Sequence, residues 1–464
     1  MAFTEIGANT LDGAYSISNS ARFEDGDSPY LSLSHGANGN SKIMTWSFWT
    51  KIGNLGINKY LFGHSSVDDA CFINNSDQLR LYINNSSDGN MITDMLFRDP
   101  SAWYHIVIAM DTSQSTAANR VKFYVNGSAA TLGTATYPDQ NYDLTGLNTS
   151  TNNQYIGREK GGNYFDGYIS EFHFIDGTQK AASDFGETND NGVWVPKKYS
   201  GSYGTNGYFL EFKQTGTSAD ASGKGADTSG NTNHFDDNNM TAEDITVDTP
   251  TNNFCTWNAL RPEQSSTLLE GNTYVTGLTG GSGSEKYHQI GTIMVNSGKW
   301  YFELKVTGSD SDNNAVSVGV SYWANNATHG TTTGPATAEV NATDIAVAGS
   351  AVQSSLAGFD QNDIVGIFLN CDDEEVTFYK NGSAYGSAAD YSSLSSEKKL
   401  VSIYAAHGSS STSNNAYLNA GNPAFSISSG NADANGYGNF EYSPVLSSTN
   451  YYALCTKNLA EFGG

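Results

Sequence analysis

The run WYHIVIAMD at residues 103–111 constrains the fold more than any other stretch of this chain. Read with a period of two, Tyr104, Ile106, Ile108 and Met110 fall on one face, and Trp103, His105, Val107 and Ala109 on the other. Both faces are largely apolar, so the run predicts a strand covered on both sides, central in a sandwich. Similar runs lie around it: TWSFW at 45–49, LRLYI at 79–83, VKFYV at 121–125 and YISEFHFI at 168–175. Clusters of Gly, Asn, Asp and Ser separate them and helix-forming runs are scarce, which reads as all-β.

One phrase occurs almost unchanged at two places, VKFYVNGSA at 121–129 and VTFYKNGSA at 376–384. Each is a strand running into Asn-Gly, the favoured pair for a two-residue type I′ turn, because both turn positions need positive φ. The preceding text differs, WYHIVIAMDTSQSTAANR in one case and NDIVGIFLNCDDEE in the other. The repeat therefore marks one local demand met in two different domains, and 464 residues are more than one ordinary core accommodates. A second set of strands is expected from GTIMV at 291–295, KWYFELKV at 299–306, AVSVGVSYW at 315–323, DIVGIFLN at 363–370 and LVSIYAA at 400–406. The stretch 213–252 is small, polar and rich in Gly, Asp, Asn and Thr, and reads as an inter-domain connection. The expected organisation is an N-terminal segment 1–13, a first domain 14–212, the connection 213–252, a second domain 253–445 and a C-terminal segment 446–464.

Charge and cysteine content exclude several function classes. The net charge is −25, with 23 Lys+Arg against 48 Asp+Glu and no basic stripe, so no nucleic-acid partner is expected. Four cysteines, at 71, 255, 371 and 455, match no zinc spacing and are too sparse for a disulfide framework, so buried free thiols are expected. The opening MAFTEIGANTLDGAYSIS has no basic or apolar signal region, and no window approaches the ~18 apolar residues of a membrane span. Synthesis in a cytoplasm without membrane insertion is the expectation.

Four runs, WSFWTKIGN at 46–54, DPSAWYHIVIAMD at 99–111, NRVKFYVNG at 119–127 and YIGREKGGNYFDGYISEFHFIDG at 155–177, resemble laminin-G-like members of the concanavalin A-like lectin/glucanase superfamily. GKWYFELKV at 298–306, VSVGVSYW at 316–323, DIVGIFLNCDDEEVTFYKNG at 363–382 and LVSIYAAHG at 400–408 resemble the SPRY family. The resemblance implies two tandem antiparallel β-sandwiches, a concanavalin A-like jelly roll followed by a SPRY-like bent sandwich. GYFLEF at 207–212 with DTSGNTNHF at 227–235 looks like another lectin-like opening strand, a leftover of the first sandwich or an addition to it. The tandem, together with RDPSAWYHIVIAMDTSQSTAANRVKFYVNG, FGETNDNGVW and YALCTKNLAEFG, is similar to virion proteins of marine tailed bacteriophages.

Hydrolases on such a sandwich carry carboxylates alternating along one strand so that acid and nucleophile flank the scissile bond. No run of the form Glu-x-Asp-x-x-Glu exists here; Asp372–Glu375 reads as a solvated hairpin turn and Glu171 as a structural carboxylate. HExxH, G-x-S-x-G and phosphate-loop signatures are absent, and His105 reads as a packed sheet residue. No enzyme is expected. Laminin-G-like relatives often hold calcium through loop carboxylates, which suits a hard cation, and here Asp68, Asp69 and Asp166 are the candidates. Sugar recognition needs an aromatic surface beside amides and carboxylates, which points to Asn84, Asn85 and Asp88 in one loop and Asn163 and Tyr164 in another. The expected role is a non-enzymatic protein of a phage particle, a tail or head appendage, fibre or decoration that adheres to host-surface glycan. Its expected partners are other virion proteins and a homo-oligomeric or multicopy array. A glycan-binding adhesin outside a virus and a polysaccharide depolymerase are the alternatives.

Overall fold

The computed structural model describes residues 15–66, 69–260, 266–279, 287–308, 316–322, 337–341, 344–348, 350–394, 401–407 and 413–463. The expected N-terminal segment 1–13 and Asp68 lie outside these residues. Two compact units divide the chain, one of Leu11–Thr251 and one built on Asn252–Gly464. Both are antiparallel β-sandwiches, and the one α-helix among the described residues is Thr456–Phe462.

In the first unit, one sheet runs in the order Ser128–Ala129, Val121–Val125, Tyr104–Asp111, Ile43–Ile52, Gly167–Asp176, Ser20–Phe23, Ile245–Thr246, with Tyr208–Leu210 also paired to Gly167–Asp176. The strand Tyr104–Asp111 is buried along its whole length. Tyr104, Ile106, Ile108 and Met110 enter the main core, while Val107 on the opposite face packs with Ile175, Ala182, Phe185 and Tyr199. A chain segment therefore covers the outer face of this sheet, which is why both faces of WYHIVIAMD are apolar. The second sheet runs Leu132–Thr136, Gly89–Leu96, Gln78–Ile83, Ala70–Ile73, Lys59–His64, Gln154–Ile156, Tyr30–Leu33, Asp236–Asn238. Its inward residues, among them Leu31, Leu61, Cys71, Ile73, Leu79, Leu81 and Met91, face Phe48, Ile106, Ile169 and Phe172 across the core.

The stretch 213–252 does not serve as the connection expected from its composition. Asp236–Asn238 pairs with Tyr30–Leu33, and Ile245–Thr246 pairs with Ser20–Phe23. What holds it is polar rather than apolar: the buried Lys224 ammonium meets Asp237 at 2.7 Å, and the buried Asp248 carboxylate receives Lys51 and the Trp103 indole N–H. Buried charges persist when paired and hydrogen-bonded, so small polar text forms part of this fold. The entry and exit of the unit lie side by side: the Ile17 N–H donates to Thr251 Oγ1, and that hydroxyl donates back to the Ile17 carbonyl at 2.8 Å.

In the second unit, the larger sheet runs Thr267–Leu269, Tyr274–Thr279, Ser413–Asn419, Lys299–Gly308, Ile364–Asn370, Glu375–Lys380, Ser383–Ala384. The other runs Tyr287–Val295, Val401–His407, Val316–Tyr322, Thr337–Asn341, Asp344–Val347, Ser350–Gln353. Trp300, Phe302, Leu304 and Val306 point into the core, following the alternation of KWYFELKV. Tyr301 and Glu303, on the outward face, are buried as well, under residues 439–442. The C-terminal stretch 446–464 also belongs to this unit: Tyr452–Ala453 pairs in parallel with Trp300 and Tyr301, and Leu454, Leu459 and Phe462 pack on the core. All four cysteines are buried free thiols.

Candidate functional site

The outward face of the second sheet in the first unit carries two clusters of aromatic rings, each topped by an arginine. In the first, Tyr60 stacks on Phe72 at 4.6 Å between centroids, and Phe72 meets Tyr82 edge-on at 5.4 Å. The Arg80 guanidinium lies 5.5 Å from the Phe72 ring and 5.6 Å from Tyr82. In the second, Tyr30 from strand Tyr30–Leu33, Tyr155 from Gln154–Ile156 and Tyr164 from the following loop surround Arg158 at 4.4, 4.9 and 5.3 Å. These four side chains are half-buried, whereas Tyr60, Phe72 and Tyr82 are closed off. Cations over aromatic faces are held by the ring quadrupole, with ~0.5–2 kcal/mol per contact depending on exposure.

The loop 157–165 places Arg158 through a reverse turn. Glu159 is buried, and its carboxylate accepts the Gly161 N–H at 2.7 Å, the Asn163 N–H at 3.3 Å and the Asn163 Nδ2–H at 2.6 Å. Asn163 is thus spent on holding the turn, and Tyr164 on caging Arg158. At the other end of the face, Asn84, Asn85 and Ser86 all take positive φ in the hairpin after Gln78–Ile83. Asn84 donates through Nδ2 to Asp88 at 2.7 Å, and Asp88 also accepts the Tyr142 hydroxyl at 2.9 Å. Ser86 accepts from Arg80, so this hairpin and the closed aromatic cluster brace each other.

Two of the cation candidates, Asp69 and Asp166, lie at different turns. Asp69 is buried, accepts the Asn84 N–H at 2.7 Å and lies 3.4 Å from His64 Nε2. Asp166 is buried at a different turn, where its Oδ2 accepts the Asn54 N–H at 2.7 Å and its carboxyl is pushed up to about 7 by burial. Gly53 leaves the room for it, since a Cβ there would stand 2.4 Å from Asp166 Oδ1. Among the described residues no group of three His, Cys, Asp or Glu is arranged to hold a metal ion, and the third candidate, Asp68, lies outside those residues.

The family model of the concanavalin A-like lectin/glucanases superfamily matches residues 25–183, and that of the SPRY domain matches residues 299–418. A concanavalin A-like domain is followed by a SPRY domain. No curated protein matches the chain. Among solved structures, the SPRY domain of human HERC1 is similar at 21% identity, over 33% of this chain and 92% of that one, with a TM-score of 0.28. A heptameric SAP-like pentraxin from Limulus polyphemus is similar at 15% identity, over 36% and 80%, with a TM-score of 0.26. A putative carbohydrate binding protein from Bacteroides ovatus is similar at 16% identity, over 48% and 59%, with a TM-score of 0.31.

A third polar cluster sits beneath the covering segment of the concanavalin A-like domain. Glu171 occurs at a break in the pairing of Gly167–Asp176 with Ile43–Ile52 and takes φ +49°, a conformation unusual for a non-glycine residue. Its carboxylate accepts the Tyr15 hydroxyl at 3.0–3.1 Å and lies 3.5 Å from His173 Nε2. His105 accepts the Trp194 indole N–H on Nδ1, so its proton is on Nε2, which donates to Ser47. Burial, and then the neighbouring His173, push the His105 imidazole down to about 3. The recess lined by Ser47, Trp49, His105, Glu171, His173, Phe185 and Pro196 has no room for a water molecule. In the SPRY domain, Glu303 occupies an equally closed place. It accepts from Tyr301, Asn419, Glu441 N–H and Tyr442 N–H, and burial pushes it up to about 7. It fastens residues 439–442 to the sheet.

Sequence reasoning placed Tyr164 and Asn163 in a candidate loop but missed Arg158, Tyr30 and Tyr155. Arg158 stands inside the run YIGREKGGNYFDGYI, so an arginine in a tyrosine-rich loop was the available signal.

Proposed function

We propose that this protein is a non-enzymatic structural component of a phage particle, a tail or head appendage, fibre or decoration, that attaches to host-surface glycan. The observation that carries the reading is the pairing of a concanavalin A-like domain with a SPRY domain in one chain. Both buried carboxylates considered above, Glu171 and Glu303, serve to fasten the fold. Assignment to a particle rests on the similarity of RDPSAWYHIVIAMDTSQSTAANRVKFYVNG, FGETNDNGVW and YALCTKNLAEFG to marine phage virion proteins. The mechanism is weak binding by each copy multiplied by a homo-oligomeric or particle-bound array, since linked sites raise avidity without new contacts.

The test is binding of the purified protein to intact bacterial host cells and to their extracted surface polysaccharide, with and without calcium, while new reducing ends are monitored. Saturable binding without new reducing ends is expected. Release of sugar ends would overturn the non-enzymatic reading, and absence of binding would overturn attachment. Mass spectrometry of purified particles tests the location: a protein missing from them is an adhesin outside a virus.

A further inference from the structure

The two caged arginines differ in what their N–H groups do. Arg80 donates Nε–H to Asn90 Oδ1 at 2.8 Å and an Nη–H to Ser86 Oγ at 2.8 Å. Its guanidinium is spent within the fold. Arg158 donates only Nε–H, to the Glu159 carbonyl at 3.1 Å. Its Nη1 and Nη2 meet no acceptor and no carboxylate among the described residues. The one acid beside it in sequence, Glu159, is turned away and saturated by Gly161 and Asn163. The hydroxyls of Tyr30, Tyr155 and Tyr164 likewise have no hydrogen-bond partner among the described residues.

We propose that Arg158, with Tyr30, Tyr155 and Tyr164, forms a binding site for an oxyanion-bearing glycan, its guanidinium fork taking a carboxylate or sulfate substituent of a sugar. The inference rests on the attachment reading above and names its ligand class. The rings fix the guanidinium plane, so the entropy of holding a long side chain has already been spent on folding. A planar fork with open, parallel N–H groups matches a two-oxygen anion in bidentate geometry, the strong form of charge-assisted hydrogen bond. Three phenol hydroxyls around it both donate and accept, which suits sugar hydroxyls flanking the anion. The chain carries a net charge of −25, so an open, rigidly held cation stands out on its surface. Screening over about 8 Å at physiological salt lets that local charge govern close contact.

The experiment is calorimetric titration of the full chain with polygalacturonate, dextran sulfate and neutral dextran. The first two distinguish a carboxylate from a sulfate as the recognised group. Binding of at least one polyanion, weakening with salt, and none of dextran are expected. Arg158→Gln should lower affinity about tenfold or more, and Arg158→Lys by less, because charge survives without the fork. Lys198→Gln, an exposed position with the same change in net charge, should leave affinity as it was.

A second pair of variants guards against loss of folding. Gly162 has φ +77°, and a Cβ there would stand 3.9 Å from Arg158 Nη2 and 3.9 Å from the Tyr164 hydroxyl. Asp and Asn both tolerate such a backbone better than other residues. Gly162→Asp should plug the fork with the protein's own carboxylate and abolish binding, whereas Gly162→Asn should retain it. Equal polyanion affinity in wild type, Arg158→Gln and Gly162→Asp, or equal binding of dextran, would overturn the site. If no polyanion binds but host cells still do, this inference falls and attachment stands. If neither binds, both fall.

Discussion

The two Asn-Gly hairpins look alike in sequence and are alike in backbone, yet they rest on different chemistry. Asn126 and Gly127 take φ +46° and +79°, and Asn381 and Gly382 take φ +50° and +76°. In each, the asparagine side chain accepts a backbone N–H from the neighbouring strand, from His105 at 2.8 Å in the first unit and from Ile364 at 2.9 Å in the second. Its own N–H donates to the carbonyl of that same residue, at 2.9 Å in both. Each glycine lies under an aromatic ring, Trp194 in one unit and Tyr442 in the other. What differs is the support. Trp194 is tied by its indole to the buried His105, whereas the half-exposed Tyr442 is held through its backbone by Glu303, and Asn381 also donates to Asp363 at 2.6 Å. A repeated phrase therefore reports a repeated backbone demand, while its surroundings are solved separately in each domain.

The largest expected effect is at Gly127. Gly127→Ala puts a Cβ at positive φ and within 2.3 Å of Trp194 Cε3, a ring that cannot move without breaking its bond to His105. A loss above about 2 kcal/mol is expected in the first unit, the backbone term alone being ~1–2 kcal/mol. Gly382→Ala should cost less, because Tyr442 can swing outward; peptide-resolved hydrogen exchange in the full chain reads the two units separately. Equal losses would break the contrast.

Next comes Asn381→Asp, which places a second carboxylate against Asp363 and exchanges a donor for an acceptor. It should cost about 1–3 kcal/mol at neutral pH and less near pH 4, where a proton can be shared. Asn126→Asp faces no such acid and should stay within ~0.5 kcal/mol of wild type. The same exchange measurement, run at both pH values, checks the pair.

The last comparison is of pH dependence, where the two units have opposite signs. His105 is held neutral in the fold with its imidazole at about 3, so an unfolded chain binds its proton first as pH drops. Its contribution is complete above about 6.5, the ordinary histidine value, and is lost as pH falls from there toward about 3. Glu303 is pushed up to about 7, so the folded state keeps its proton longer. Its contribution is complete below about 4.5 and is lost as pH rises to about 7. His105→Gln should flatten the acid-side slope of the first unit, and Glu303→Gln the slope of the second above pH 4.5. Slopes unchanged in both variants would remove these groups from the account.

Strand positions, the two Asn-Gly turns and the two-sandwich architecture were legible because period-two burial and turn chemistry are local. The stretch 213–252 was misread for a physical reason. Lys224, Asp237 and Asp248 look like solvated text, and only tertiary pairing with one another and with Lys51 reveals that they are buried. The aromatic cage failed for a related reason: Tyr30, Tyr155 and Tyr164 come together around Arg158 from separated segments, and no spacing rule brings residue 30 beside residue 158. The loop was visible in sequence, but the arginine at its centre was not.

The clasp between Ser20–Phe23 and Ile245–Thr246 bears on how this domain behaves under tension and in modular assembly. Ser20 pairs with Thr246, so the incoming and outgoing chain leave the ladder from the same end. A pull on the two ends opens that short ladder one rung at a time, like a zipper, rather than shearing a whole strand at once. The interior strands of the sandwich lie beyond the first rungs to yield. The same closeness of entry and exit makes the unit insertable: a host protein could receive it within a surface loop without its own ends having to move far apart.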